Sequence, residues 1–121
     1  MTSSGNVQGA NVIATGYHIR SVGTSISAAG TVQGNATVLT KEFNGVATVA
    51  SGAGVVLPTA VAGMAITIVN SSANSLLVYP ASGAAINSLA TNTGYTQSTL
   101  ATLQYIALST TQWYTVGATY A

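Results

Sequence analysis

Apolar residues in this chain recur at every second position, the spacing of a strand with one buried face. In Met64-Ala65-Ile66-Thr67-Ile68-Val69, the residues Met64, Ile66 and Ile68 share a face. The run Asn70-Ser71-Ser72-Ala73-Asn74 is rich in turn formers, and Leu76-Leu77-Val78-Tyr79 reads as the returning strand of a hairpin, with Ile66, Ile68 and Val78 buried. Pro80 ends that strand because proline cannot donate to a ladder. A second hairpin is expected from a strand over 103–108, the turn Ser109-Thr110-Thr111 and a strand over 113–116. Earlier strands are expected over 37–40, 46–49 and 55–57, with Gly52 and Gly54 punctuating the last gap. The one helical alternative, around 84–90, is too short to matter. Short strands with turns at such intervals predict an all-β fold, a small antiparallel β-sandwich or jelly-roll-like barrel, over residues 28–121.

The N-terminal third follows another pattern. The segment from Ser4 to Thr15 aligns with that from Ala29 to Thr40 at a constant offset of 25, with five of twelve positions identical and a shared Gly-x-Val-Gln-Gly core. Two copies are too few to stack into a stable solenoid, since about three are needed to build a core, but neighbouring chains can supply the missing layers. Residues 1–27 are therefore expected to form an extended N-terminal arm. Its large apolar residues, Val7, Val12, Ile13, Tyr17, Ile19, Val22 and Ile26, are too widely spread to make a core of their own. Their burial must come from a second surface, which makes Val7, Val12, Ile13, Tyr17, Ile19 and Val22 the candidate contact residues.

Composition sharpens this picture. At 121 residues the chain has the size of one domain, yet charged residues make up only 2% of it, against about 25% in an ordinary soluble domain. The whole charge set is Arg20, Lys41 and Glu42, with His18 as the single histidine and a net charge of +1. So little charge gives little repulsion between copies, and self-association is the expectation. Disorder does not fit a chain rich in Val, Ile and Thr. Every apolar run is interrupted by Gly, Ser, Thr or Asn, so no membrane span is expected, and Met1-Thr2-Ser3-Ser4-Gly5 lacks the features of a signal peptide, which predicts synthesis in the cytoplasm. Without cysteine there are no disulfides and no thiolate metal ligands.

Catalytic chemistry finds few materials. A Ser-His-acid triad has only His18 and Glu42 to draw on, and no Gly-x-Ser-x-Gly elbow is present. A single acid excludes paired-carboxylate chemistry within one chain. No cofactor and no intrachain metal site are expected; three copies of His18 meeting on a trimer axis are the one arrangement that would bind a metal. Arg20 and Lys41 are too few for a nucleic-acid interface, and no lysine follows a phosphate-loop glycine spacing. The sequons Asn35-Ala36-Thr37 and Asn70-Ser71-Ser72 are incidental in a chain without a secretion signal. Trp113, Tyr114, Tyr105 and Tyr79 are candidates for a carbohydrate-stacking platform, although their alternation within strands favours packing duty.

One set of landmarks carries more. Gly54-Val55-Val56-Leu57-Pro58, Gly63, Ile66-Thr67-Ile68-Val69-Asn70, Val78-Tyr79-Pro80, Gly83-Ala84-Ala85-Ile86-Asn87 and Trp113-Tyr114 occur in that order. This resembles a β-module of virion proteins from tailed bacteriophages, over roughly residues 28–117. The arm, with Gly5-Asn6-Val7-Gln8-Gly9 and its echo, looks like the glycine-rich segments of phage fibres. The resemblance implies a structural virion component with no cofactor and no enzymatic activity, assembled as a homotrimer. The module occurs in head-decoration (cement) proteins and in fibres. A compact body with a short arm, lacking a long shaft, suits a decoration protein made in the host cytoplasm and bound to the major capsid protein on the capsid exterior. The rival expectation is a tail or head fibre tip that binds a host-surface glycan.

Overall fold

Small and β-branched residues carry the chain through ten short strands. No α-helix forms among residues 5–117, which are those described by the computed structural model. In chain order the strands are β1 (Val22–Ser27), β2 (Thr37–Val38), β3 (Phe43–Thr48), β4 (Gly54–Val56), β5 (Ala65–Asn70), β6 (Leu76–Tyr79), β7 (Ala85–Ile86), β8 (Tyr95–Gln97), β9 (Thr102–Ser109) and β10 (Gln112–Val116). A 3₁₀ turn at Gln33–Asn35 precedes β2. The fold is all-β, in two sheets of order β1-β3-β5-β9-β10-β7 and β2-β4-β6-β8.

The first six strands alternate between the sheets, and each lies parallel to the strand one layer earlier. Val22 sits beside Phe43 and Phe43 beside Thr67, spacings of 21 and 24 residues. In the second sheet Thr37 sits beside Val55 and Val55 beside Val78, spacings of 18 and 23. The chain thus winds in coils, stacking turn on turn as a β-solenoid does. Antiparallel pairing enters with the later strands, as β8 closes on β6 and β9 joins β5 to β10.

The all-β expectation holds, but the first six strands stack in parallel coils rather than in the antiparallel pairs expected of a sandwich or jelly-roll-like barrel. The β9–β10 hairpin forms as expected, whereas β5 and β6 belong to different sheets and do not pair. The cause lies in the residues between them. Asn70 Nδ2 donates to the carbonyls of Asn74 (2.9 Å) and Ser98 (3.1 Å), and the Ser72 hydroxyl lies 2.9 Å from two acceptors, Asn70 Oδ1 and the Asn74 carbonyl. Asn74 Nδ2 reaches back to the Val49 carbonyl at 2.8 Å, while the Ser71 amide donates to Val46 at 3.0 Å. These bonds stack the turn on the preceding coil and send the chain across to the other sheet.

Between the sheets lies a core containing Leu39, Val46, Val55, Leu57, Ile66, Ile68, Leu76, Val78, Ile86, Tyr105 and Trp113. Ile66, Ile68 and Val78 are buried as their period-two spacing requires. Gly54 is needed where it stands: a Cβ there would lie 2.7 Å from the Leu77 carbonyl oxygen and 2.8 Å from the Tyr79 ring. Residues 22–27, read from sequence as part of the arm, form β1 at the edge of the larger sheet.

Candidate functional site

Residues 5–21 form no ladder, and every one of them is exposed. Gly5, Gly9 and Gly16 separate the large side chains, and no period-two run is long enough to join a sheet unaided. Val7, Val12, Ile13, Tyr17 and Ile19 are each between 59% and 94% exposed, a run of apolar groups left largely uncovered by the other described residues. The remaining candidate contact residue, Val22, is the first residue of β1, exposed and beside Phe43. The structure therefore sets five of the six along one uncovered segment and the sixth at its root.

The arm leaves the body at a short strap. Arg20 meets Glu42 across 3.1 Å, the Glu42 amide donates to Ser21 Oγ at 3.0 Å, and the Phe43 amide donates to the Ser21 carbonyl at 3.0 Å. Beside the strap lies an open groove of about 580 Å³ whose lining includes Asn6 of the arm with Arg20, Lys41, Glu42, Pro58 and Met64. All three charged residues of the chain thus converge on one groove, with Lys41 left as its excess positive charge. His18 is exposed on the arm and does not line the groove, so no imidazole stands there beside Glu42 to form an acid–base pair. No three of His, Cys, Asp and Glu cluster among the described residues.

The candidate aromatic platform is mostly interior. Trp113 and Tyr105 are fully buried, and Tyr79 lies against Gly54 and Gly94 with its hydroxyl 3.3 Å from the Thr31 carbonyl it donates to. Tyr105 donates to Gln97 Oε1 at 2.7 Å and stands edge-on to Tyr95, with ring centres 6.2 Å apart. Burial, and secondarily the neighbouring Tyr95, pushes its phenol well above the ordinary range, so it acts as a hydrogen-bond donor. Only Tyr114 of the four presents a substantial face to solvent.

Among the exposed apolar residues that the sequence reading did not single out as contacts are Val32 and Val38. Val32 precedes the 3₁₀ turn that leads into β2, the terminal strand of the smaller sheet, and Val38 is the second residue of β2 and 64% exposed. The signal was present in the echo, since Val32 and Val38 are the counterparts of Val7 and Ile13. No family model, curated protein or solved structure matches the chain.

Proposed function

We propose that this protein is a structural component of a bacteriophage virion, a capsid decoration (cement) protein that clips the head lattice as a homotrimer. In this reading it is made in the host cytoplasm, sits on the capsid exterior, and meets sister copies and the major capsid protein through its arm. It carries out no reaction. The observation that supports this reading is the run of uncovered apolar side chains from Val7 to Ile19, attached to a body whose whole charge complement occupies one groove. Such a surface gains free energy by covering apolar area, and three arms acting together multiply a weak individual grip. The ordered landmarks, which resemble those of virion β-modules, support the same reading.

The glycan-binding fibre tip is the weaker reading. Recognition of a sugar by stacking needs an open aromatic face, and Trp113 and Tyr105 have none.

The test is attachment to capsids that lack the protein. Full-length protein should co-sediment with such capsids and saturate them. A variant lacking residues 1–19, cut before the Arg20–Glu42 strap, should keep the emission of buried Trp113 but lose attachment. Wild-type occupancy by that folded variant would sink the arm as the anchor.

A further inference from the structure

We infer that the arm of one copy adds a strand to the open edge of β2 in a second copy, with Val12 beside Thr37 and Ile13 beside Val38. This rests on the self-assembly in the function proposed above and names the residues that carry it.

The internal echo supplies the register. In the second copy of the echo, the Thr31 and Val32 amides donate to Asn35 Oδ1, both at 3.2 Å, and Gln33 Nε2 donates to the Pro80 carbonyl at 2.7 Å. The segment then delivers Thr37 and Val38 into β2, parallel to β4. The first copy has the same Gly-x-Val-Gln-Gly approach and delivers the β-branched pair Val12-Ile13 to the equivalent place. Yet Val12 and Ile13 join no strand in the chain itself and are 62% and 85% exposed. One departure explains why this copy does not order alone: Ala10 stands where Asn35 pins the loop, so two amides lose their side-chain acceptor.

The edge fits the arm. β2 is terminal in its sheet and pairs on one side only, with β4. The Leu39 amide donates to Val56 at 3.0 Å, so Thr37 and Leu39 direct their backbone groups at β4. By strand alternation the amide and carbonyl of Val38 face the open side. An arm strand in the echo's register would accept from Val38 N–H at the Val12 carbonyl and donate to the Val38 carbonyl from the Ala14 amide. The neighbouring edge, β1, is less suited: its ladder shifts register around Ile26, and Ser25 takes a left-handed φ of 54°. Bulges of that kind blunt an edge against pairing. An arm seated on a neighbour's β2 makes a head-to-tail contact, which closes into a ring when the rotation permits, as in a trimer.

The register makes Ala14 decisive. Ala14→Pro removes the amide that would bond Val38, whereas Ala14→Ser keeps it; both lie in the exposed arm, away from the core. Sedimentation equilibrium of the full chain should show Ala14→Pro weakening self-association by about tenfold or more, with Ala14→Ser within about threefold of wild type. Hydrogen exchange should show the Val38 amide protected at high protein concentration and released on dilution. Equal association by the two variants, or Val38 protection that survives dilution to monomer, would overturn the pairing in trans while leaving capsid attachment intact. A full chain that stays monomeric at high concentration would overturn both this pairing and the self-assembly it rests on.

Discussion

Tyr105 and Gln97 meet inside the core, where the phenol hydroxyl donates to the side-chain carbonyl across 2.7 Å and neither residue touches solvent. Gln97 spends its amide nitrogen on the Ile68 and Ala101 carbonyls, each at 2.9 Å, and so ties β8 to both β5 and the approach to β9. Tyr105→Phe should leave Gln97 Oε1 buried without a donor and cost about 1–3 kcal/mol in urea unfolding. A double-mutant cycle with Gln97→Met should return a coupling energy above about 0.5 kcal/mol; strict additivity would mean the bond contributes nothing.

The same hydroxyl sets an alkaline limit. Tyrosine in the unfolded chain loses its proton near the ordinary value of 10.0, whereas burial holds Tyr105 protonated to higher pH. Above about pH 10 the unfolded chain therefore binds fewer protons than the folded one, and stability should fall with pH at up to about 1.4 kcal/mol per unit. Below that pH this residue should contribute no slope. Urea midpoints taken from pH 7 to 11 check this, and Tyr105→Phe should flatten the alkaline limb.

Strand faces can be tested by neighbours. Ile68→Ala empties a fully buried site in β5 and should cost about 2–5 kcal/mol. Val69→Ala, one position along and exposed, should cost less than about 1 kcal/mol. Comparable losses at the two sites would mean the face had been assigned wrongly.

Two glycines separate crowding from flexibility. Gly54→Ala would force a methyl against the Leu77 carbonyl and the Tyr79 ring, for a loss of about 1–3 kcal/mol. Gly34→Ala meets nothing within 4 Å and should change stability by less than about 0.5 kcal/mol. Thermal or urea unfolding of the pair decides it.

Salt should matter little. The Arg20–Glu42 bridge is the one ion pair found among the described residues, and both side chains are partly exposed, so screening it should shift stability by less than about 1 kcal/mol. A larger loss between low salt and 0.5 M sodium chloride would show that the strap holds more than its geometry suggests.

Which residues face inward was legible from period-two spacing, and Ile66, Ile68, Val78 and Trp113 all lie in the core. Which strands pair was not. Alternation is identical in parallel and antiparallel strands, and Asn70-Ser71-Ser72-Ala73-Asn74 reads as a reversal until its side chains are seen bonded to Val49 and Ser98. The coils hid as well, because their spacings range from 18 to 24 residues and blur any fixed repeat. The echo at offset 25 was visible, but its first copy lies on the exposed arm and only its second enters a sheet. The landmark residues acquired reasons: Gly54 makes room for Tyr79, Gly83 turns at a φ of 90°, and Asn87 Oδ1 accepts the Thr115 amide at 3.0 Å. The candidate contact residues Val7, Val12, Ile13, Tyr17, Ile19 and Val22 were legible only as apolar groups without a pattern, and all six are exposed in the structure.

The strand order of the larger sheet also dictates when this chain can fold. β9 and β10 sit inside that sheet although they are the last strands in the described chain, and β9 pairs with β5 from Ala65 beside Ile106 to Val69 beside Thr102. Each parallel coil must close a loop of about 20 residues before its first ladder bond, an entropic cost of about 3 kcal/mol each time. The β9–β10 hairpin closes a far shorter loop, on a timescale of microseconds. Folding is therefore governed by contacts distant in sequence, which makes it slow for a domain of this size.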